Sequence, residues 1–421
     1  MSKLPATYEV PVVVLRSGHH GGLGIVRSLG RLGVPVYCVD GTWWESAFTS
    51  RYCRGRFLLD VDNAPLDVAL AGLQRIARKI GGRPILIPTT DQASSWVAEN
   101  ARALRQEFRF PVHDAALVHT LCDKDRMQEL ARKHGVATAQ SILPQSQEDV
   151  DRFIEGAEFP VMVKETGGRR LRRRAGGTKF IVRTPRELTE LYARVADPEV
   201  PNLILQESIP GEDWMFNGYF DAYSRCLFGM TGRKIRRFPV NTGVTSLGIC
   251  LPNEMVARTT IDFMRAIHYH GILDIGYRRD QRDGQYKVLD VNPRIGCTFR
   301  LFTADGGMDV ARALYLDITG QQVDSTSSQA VPGRKWFVED FDLSSGLRSW
   351  REGALSLKEW IRSLSGVQEA ACFAADDPLP LLMIGVTDCC ELFRWARDKV
   401  AISHGSGAAI TPVPLASERR Y

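Results

Sequence analysis

An aspartate and an asparagine stand two residues apart where an apolar run ends, in "YKVLDVNPRIG", residues 286–296. Strand side chains alternate between faces, so Asp290 and Asn292 share a face, Arg294 follows on it, and Leu289 and Val291 point the other way. Two neighbouring oxygen donors suit a hard cation such as Mg2+, which keeps several waters and is usually shared with substrate phosphates. A second set of candidates is cationic. The apolar strand "FPVMVKE" delivers Lys164 just ahead of "TGGRRLRRRAGGTKF", where Gly167, Gly168, Gly176 and Gly177 flank a run of guanidinium groups. Glycines let backbone N–H groups approach phosphate oxygens, and such a hairpin can close over them as a lid. Nothing aromatic is interleaved to stack on bases, which counts against a nucleic-acid role. Further on, "QESIPGEDW" ends a strand at Gln206 and Glu207 and turns at Pro210-Gly211 before Glu212 and Asp213. Such a connector could hold a purine beside Glu207 and a ribose with a carboxylate.

These residues need a scaffold, and 421 residues exceed one ordinary core, so two or three domains are expected. The opening "VPVVVLRSGHHGGLGIVRSLGRLGVPVYCVDG" reads strand, glycine turn, helix, strand. A helix from about residue 65 to 80 and the strand "RPILIPTTD" continue a parallel α/β pattern through about residue 115. A second block begins with the helix in "LCDKDRMQELARKHGV" and runs through the strands and helices that carry the motifs above. "QQVDSTSSQAVPGRK" is polar and reads as a linker, and the last hundred residues read as an appended α/β piece.

The formal charge of +5 is accounted for by the five arginines of Arg169–Arg174, so the excess is local. The N-terminus lacks a secretory pattern and no apolar run approaches the roughly 20 residues of a membrane span. Nine scattered cysteines fit reduced thiols in a cytoplasmic protein.

The chain order of a lysine in "CDKDRM", "PVMVK" with its glycine loop, "QESIPGED", "GRKIRRFPVNTG" and "LDVNPR" resembles the ATP-grasp superfamily, specifically its carboxylate–amine ligases similar to D-aspartate ligase. The resemblance covers about residues 10–320. It implies an α/β and α+β chain: a Rossmann-like domain over 1–118 that helps hold substrate, a two-lobed ATP-grasp domain over 119–320 with a lid at about 155–212, and a C-terminal α/β extension over 321–421 that could complete the substrate pocket. It further implies ATP with Mg2+, Mn2+ being a possible substitute, small-molecule acid and amine substrates, no nucleic-acid or membrane partner, and compatibility with a homodimer.

Carried over by position, Lys124 and Lys164 would contact ATP together with Gly167, Gly168, Gly176 and Gly177. Glu207 and Ile209 would lie in the adenine hinge, and Glu212 or Asp213 would bind ribose. Asp290 and Asn292 would coordinate the metal, Arg294 would contact the transferred phosphoryl group or the acid, and Arg233, Lys234 and Arg236 would face the phosphate end. This sequence departs from the family in having Asp290 where Glu is usual, and Gly276 where an acidic ligand is common. Asp274, two residues earlier on the same strand face, and Asp280, in the following turn, are the alternatives for that ligand.

Two rival readings compete with the ligase. A dinucleotide-dependent oxidoreductase would use the glycine turn and Asp40, but Gly18, Gly21, Gly22 and Gly24 miss the G-x-G-x-x-G spacing. A non-catalytic nucleotide-binding protein would tolerate Gly276. His268 and His270 are expected to be structural, and Trp43 and Trp44 are expected to pack in the core.

Overall fold

The computed structural model of the chain describes residues 7–165, 179–197, 203–240, 243–324 and 332–387. Strand β1 (Val12–Leu15) is apolar throughout because both its faces are covered. Val13 and Leu15 enter a core with Leu73, Leu86 and Phe108, while Val12 and Val14 enter a second core that runs on into the rest of the molecule. With β2 (Val36–Asp40), β3 (Cys53–Leu58) and β4 (Ile85–Pro88) it forms a parallel sheet of order β3-β2-β1-β4. The helix His20–Gly30 follows β1, and Gly33, at φ +86°, turns the chain back toward β2.

A small sheet carries Lys164. Its strands are β5 (Ser141–Ile142), β6 (Val161–Glu165), β7 (Lys179–Val182) and β8 (Leu203–Glu207), in the order β5-β8-β6-β7. The helices Gln147–Gly156 and Pro185–Val195 supply Val150, Phe153, Leu188 and Leu191 to the core beneath it.

The large sheet holds the carboxylates. It contains β9 (Gly211–Phe220), β10 (Cys226–Phe238), β11 (Val244–Cys250), β12 (Gly271–Asp280), β13 (Tyr286–Asn292), β14 (Lys335–Phe337) and β15 (Val367–Ala370), ordered β13-β12-β9-β10-β11-β14-β15. Alternation along β12 separates its faces. Leu273, Ile275 and Tyr277 pack with Phe263 of the helix Glu254–Ala266, whereas Ile272 joins the core shared with the N-terminal sheet and with Leu314 of the helix Val310–Ile318. The C-terminal strands β14 and β15 thus extend the same sheet that carries the candidate metal ligands. Gly167, Gly168, Gly176 and Gly177 lie outside the described residues. Among the described residues no helix is long and apolar enough to cross a membrane.

One buried ion pair fastens the C-terminal region to the first helix. Arg27 Nε donates to Asp377 Oδ2 at 2.9 Å, and its other nitrogens donate to the carbonyls of Ala371, Cys372 and Asp377. The Ser50 hydroxyl and the Arg51 N–H also donate to Asp377. Both charged residues are almost fully buried. Removing one partner strands the other charge, so Asp377→Ala is expected to cost about 3–5 kcal/mol in urea denaturation. A loss below about 1 kcal/mol, typical of exposed pairs, would contradict this account of the fastening.

Candidate functional site

The hairpin of β12 and β13 sets the centre of the site. Its register pairs Asp274 with Asn292 and Gly276 with Asp290, and Asn217 of β9 stands opposite Asp274, so all of these share one sheet face. The Asn292 amide reaches both carboxylates, lying 3.3 Å from Asp274 Oδ2 and 3.3 Å from Asp290 Oδ2. Glycines make the space: a Cβ on Gly276 would lie 2.4 Å from Asp290 Oδ1, and one on Gly296 would lie 2.4 Å from the Asp274 carboxyl carbon. The absent side chain at 276 is therefore what lets Asp290 lean across the hairpin. Of the two alternatives for the acidic ligand, Asp274 reaches this cluster. Asp280 is buried at the far end of β12, where Lys287 donates to it at 2.7 Å and Arg282 holds its carboxyl well below the usual range.

Cations surround the pair. Burial alone would raise Asp290, but the charges of Lys234 and Lys124, the Asn292 amide and Arg294 more than offset it and hold its carboxyl below the ordinary value. Asp274 goes the other way. Burial and the charge of Asp290 push it up, against the opposing pull of Arg294 and Lys234. Arg294 ties the large sheet to the helix Asp91–Glu99 that follows β4, with Nε donating to Asp91 Oδ1 at 2.8 Å and Nη2 donating to Asn292 Oδ1 at 3.2 Å.

The small sheet meets this wall at the helix Lys124–Lys133, whose first turn is capped by the Asp123 carboxylate. Lys124 acts on Asp290, while its neighbour Asp125 feels the charge of Lys164, which also donates to the Gln206 side chain. Lys124 and Asp125 thus link the Lys164 side of the cleft to the Asp290 side. At the opposite end Glu207 pairs with Arg282, lies 3.5 Å from Lys287 Nζ, and bonds through its backbone to Gln140. It sits at the joint between the two sheets, with Ile209 buried beside it.

The other expected residues divide between faces. Asp213 is buried, lies 2.9 Å from Arg237 Nη1 and 3.5 Å from Arg278 Nε, and shares the face of Lys234. Glu212 pairs with Arg233 on the opposite face. Arg236 does not follow Lys234 toward the phosphate end: a bulge in β10 re-aims it, and its guanidinium grips Asp342 of the helix Glu339–Arg351. Trp43 and Trp44 are 52% and 68% exposed, not core residues; Trp43 rests edge-on against Phe48.

The motif reading missed Asn217, Asp91, Arg278 and Lys287. Asn217 had a usable signal, being a lone amide in the apolar run "WMFNGYF". It is fully buried, and its Oδ1 accepts no hydrogen bond from the protein.

Two carboxylates and this orphaned oxygen form an oxygen donor set, which fits Mg2+ rather than a thiolate or imidazole metal; the Asn292 amide beside them turns its nitrogen to the carboxylates and its oxygen to Arg294. Among the described residues no group of three or more His, Cys, Asp and Glu is placed to hold a metal, so the set depends on asparagine.

At the end of β2, Asp40 is already engaged. Arg16 Nη1 and the Gly41 N–H donate to it at 2.7 and 2.8 Å, while the Glu45 carboxylate stands against Gly18. A dinucleotide pyrophosphate would meet that negative charge. His19 caps the first helix by accepting from Gly21 N–H, and His20 packs against Trp336 and Phe341. Burial lowers both imidazoles, assisted at His19 by Arg294 and at His20 by His19, to about 4 and about 3 from 6.5. Below 6.5 the unfolded chain binds protons that the folded chain refuses, so stability is full above that pH and declines as the pH falls toward 4. His20→Phe, which keeps the aromatic packing, should flatten that decline in thermal melts between those limits. An unchanged pH profile would refute the assignment.

No protein-family model matches the chain. Over 245 residues it is 24% identical to D-aspartate ligase of Enterococcus faecium, a match covering 55% of this chain and 58% of that protein. The chain thus matches somewhat over half the length of this relative. Its structure resembles N5-carboxyaminoimidazole synthetase from Staphylococcus aureus, with a TM-score of 0.58 at 14% identity over 77% of this chain and 81% of that one. It also resembles the L-amino acid ligase from Bacillus licheniformis, with a TM-score of 0.57 at 15% identity over 78% and 79% of the two chains. The chain has the ATP-grasp fold and is similar in sequence, over 55% of its length, to a D-aspartate ligase.

Proposed function

We propose that the protein is an ATP- and Mg2+-dependent ligase that joins a carboxylic acid to an amine through an acyl phosphate, with Mn2+ able to replace Mg2+. The observation that carries this reading is the cluster of Asp274, Asp290 and Asn292, flanked by Lys234 and Lys124 and linked through Asp125 to Lys164. A bound Mg2+ would be held by Asp290 and Asp274, with the Asn292 oxygen joining them once its amide turns from Arg294 toward the metal, and would neutralise phosphate charge. The ammonium groups of Lys124, Lys164 and Lys234 would offset the remaining charge as a carboxylate oxygen approaches the γ-phosphorus.

In the first step the carboxylate forms an O–P bond and ADP leaves. In the second the amine nitrogen forms the C–N bond, phosphate leaves with the C–O electron pair, and the amine proton passes to solvent or phosphate. The protein supplies no nucleophile; its contribution is alignment and charge compensation. Glu207 and Ile209 would hold the adenine end, Asp213, on the face of Lys234, would lie toward the ribose, and Arg294 would meet the acid and the phosphoryl group, while Glu212 and Arg233 pair on the opposite face.

Incubation with Mg-ATP, hydroxylamine and pooled carboxylic acids tests the reading without knowledge of the amine. A hydroxamate with stoichiometric ADP is the expected product. Tight ATP binding with no ADP from any acid would overturn it in favour of a nucleotide-binding protein.

A further inference from the structure

A cavity continues the reacting face beyond the carboxylates. Ile272 precedes Asp274 by two residues on the same face of β12, roughly 7 Å along the strand, and there it lines a cavity of about 40 Å3 with Leu86, Val97, Phe110 and Leu314. The cavity lies between the N-terminal domain and the large sheet, and the segment Pro293–Ile295 forms the wall nearest the metal ligands. Arg294 therefore belongs to both places: its guanidinium is held against Asn292 and Asp91, and the residue also lines the cavity. Two further polar side chains line it: Ser94, whose hydroxyl is spent on the Pro293 carbonyl at 2.9 Å, and His113; the remaining lining side chains are apolar. His113 lines one side, stacked on Tyr269, and burial together with His270 lowers it to about 4, so it brings no charge at neutral pH.

We infer that this cavity seats the side chain of the acid that is activated, and that the acid carries a compact, uncharged, apolar side chain. The inference rests on the ligase reading above and names its substrate class. Arg294 attracts the carboxylate, and the direction from Asp274 to Ile272 leads from the reacting group into the cavity. At roughly 10–15 Å3 for each water-sized group, the space takes about three such groups, as in a branched aliphatic chain. A second carboxylate, as in aspartate, would be buried there with Arg294 as the one cation lining the cavity, and that guanidinium already serves Asp91 and the first carboxylate.

The test is hydroxamate formation from Mg-ATP and hydroxylamine with single acids: valine, leucine and 3-methylbutanoate against aspartate, glutamate and acetate. The branched acids should give at least a tenfold higher kcat/KM than the dicarboxylates. In Ala98→Leu, which pushes a larger side chain into the cavity wall, KM for the branched acids should rise at least tenfold while KM for ATP stays within about twofold. Turnover of aspartate or glutamate with none of the branched acids would overturn the side-chain assignment and leave the ligase standing. Absence of hydroxamate from every acid would overturn the ligase reading, and this inference with it. Because the comparison of acids uses the unaltered protein, it decides the question even if the variant fails to fold.

Discussion

Asp290→Ala should lower the proposed ATP-dependent ligase turnover at least a hundredfold while leaving the fold intact. Asp290 projects from the end of β13 into the cleft, and its carboxylate is held ionised, despite burial, by Lys234, Lys124, Asn292 and Arg294. The three cations repel one another once it is gone, and the proposed Mg2+ is left with Asp274 and an amide. Loss of one preorganised charge-stabilising group typically costs about 2.7–4 kcal/mol, or roughly a hundred- to a thousandfold in rate. The fold should survive because the deletion faces the cleft, opposite a glycine, rather than the core. ADP release over a Mg2+ titration checks this, with the half-saturating Mg2+ concentration moving upward. Lys164→Ala is expected to lose far more than tenfold by the same reasoning from the other wall. Near-normal turnover of Asp290→Ala at the original Mg2+ concentration would remove the metal assignment.

The parts of the site legible in the sequence were those set by local alternation. "VLDVNPR" specifies that Asp290 and Asn292 share a face, because the period of a strand is a local property. What the pattern could not give was pairing. Asp274 lies opposite Asn292 only because β12 and β13 adopt one register, with a shift between Gly276 and Tyr277, so the choice between Asp274 and Asp280 was open until that register was known. Arg236 misled for the same reason: strict alternation puts it beside Lys234, and a bulge gives it to Asp342. The joining of β14 and β15 to the large sheet depends on contacts across some hundred residues, which no short motif records. Trp43 and Trp44 were assigned by hydrophobicity alone, a one-way rule that permits exposed aromatics. By contrast, the continuous apolar run of β1 carried enough local signal to place that strand.

Gly276→Asp, which would install the acid that the family resemblance leads one to expect at this point of the strand, should reduce activity by roughly ten- to a hundredfold rather than improve metal binding. A Cβ at 276 would lie 2.4 Å from Asp290 Oδ1, so either Asp290 or the hairpin backbone must move before the new carboxylate is placed at all. Overpacking of this kind costs about 1–3 kcal/mol, which at roughly 1.4 kcal/mol per decade of rate spans much of that range. The added negative charge compounds it, because Asp274 is already raised by burial and by Asp290, and a third carboxylate would push it further toward its neutral, poorly coordinating form. The geometry thus makes Asp274 and Gly276 a matched pair, one supplying the charge and the other the room for Asp290 to meet it. The double variant Asp274→Ala/Gly276→Asp tests the pairing: moving the acid two residues along the face, with the crowding charge removed, should recover part of the activity that Asp274→Ala alone loses only if position 276 can be accommodated. On the present geometry it should recover none, and recovery to within threefold of the unaltered protein would show that the glycine is incidental.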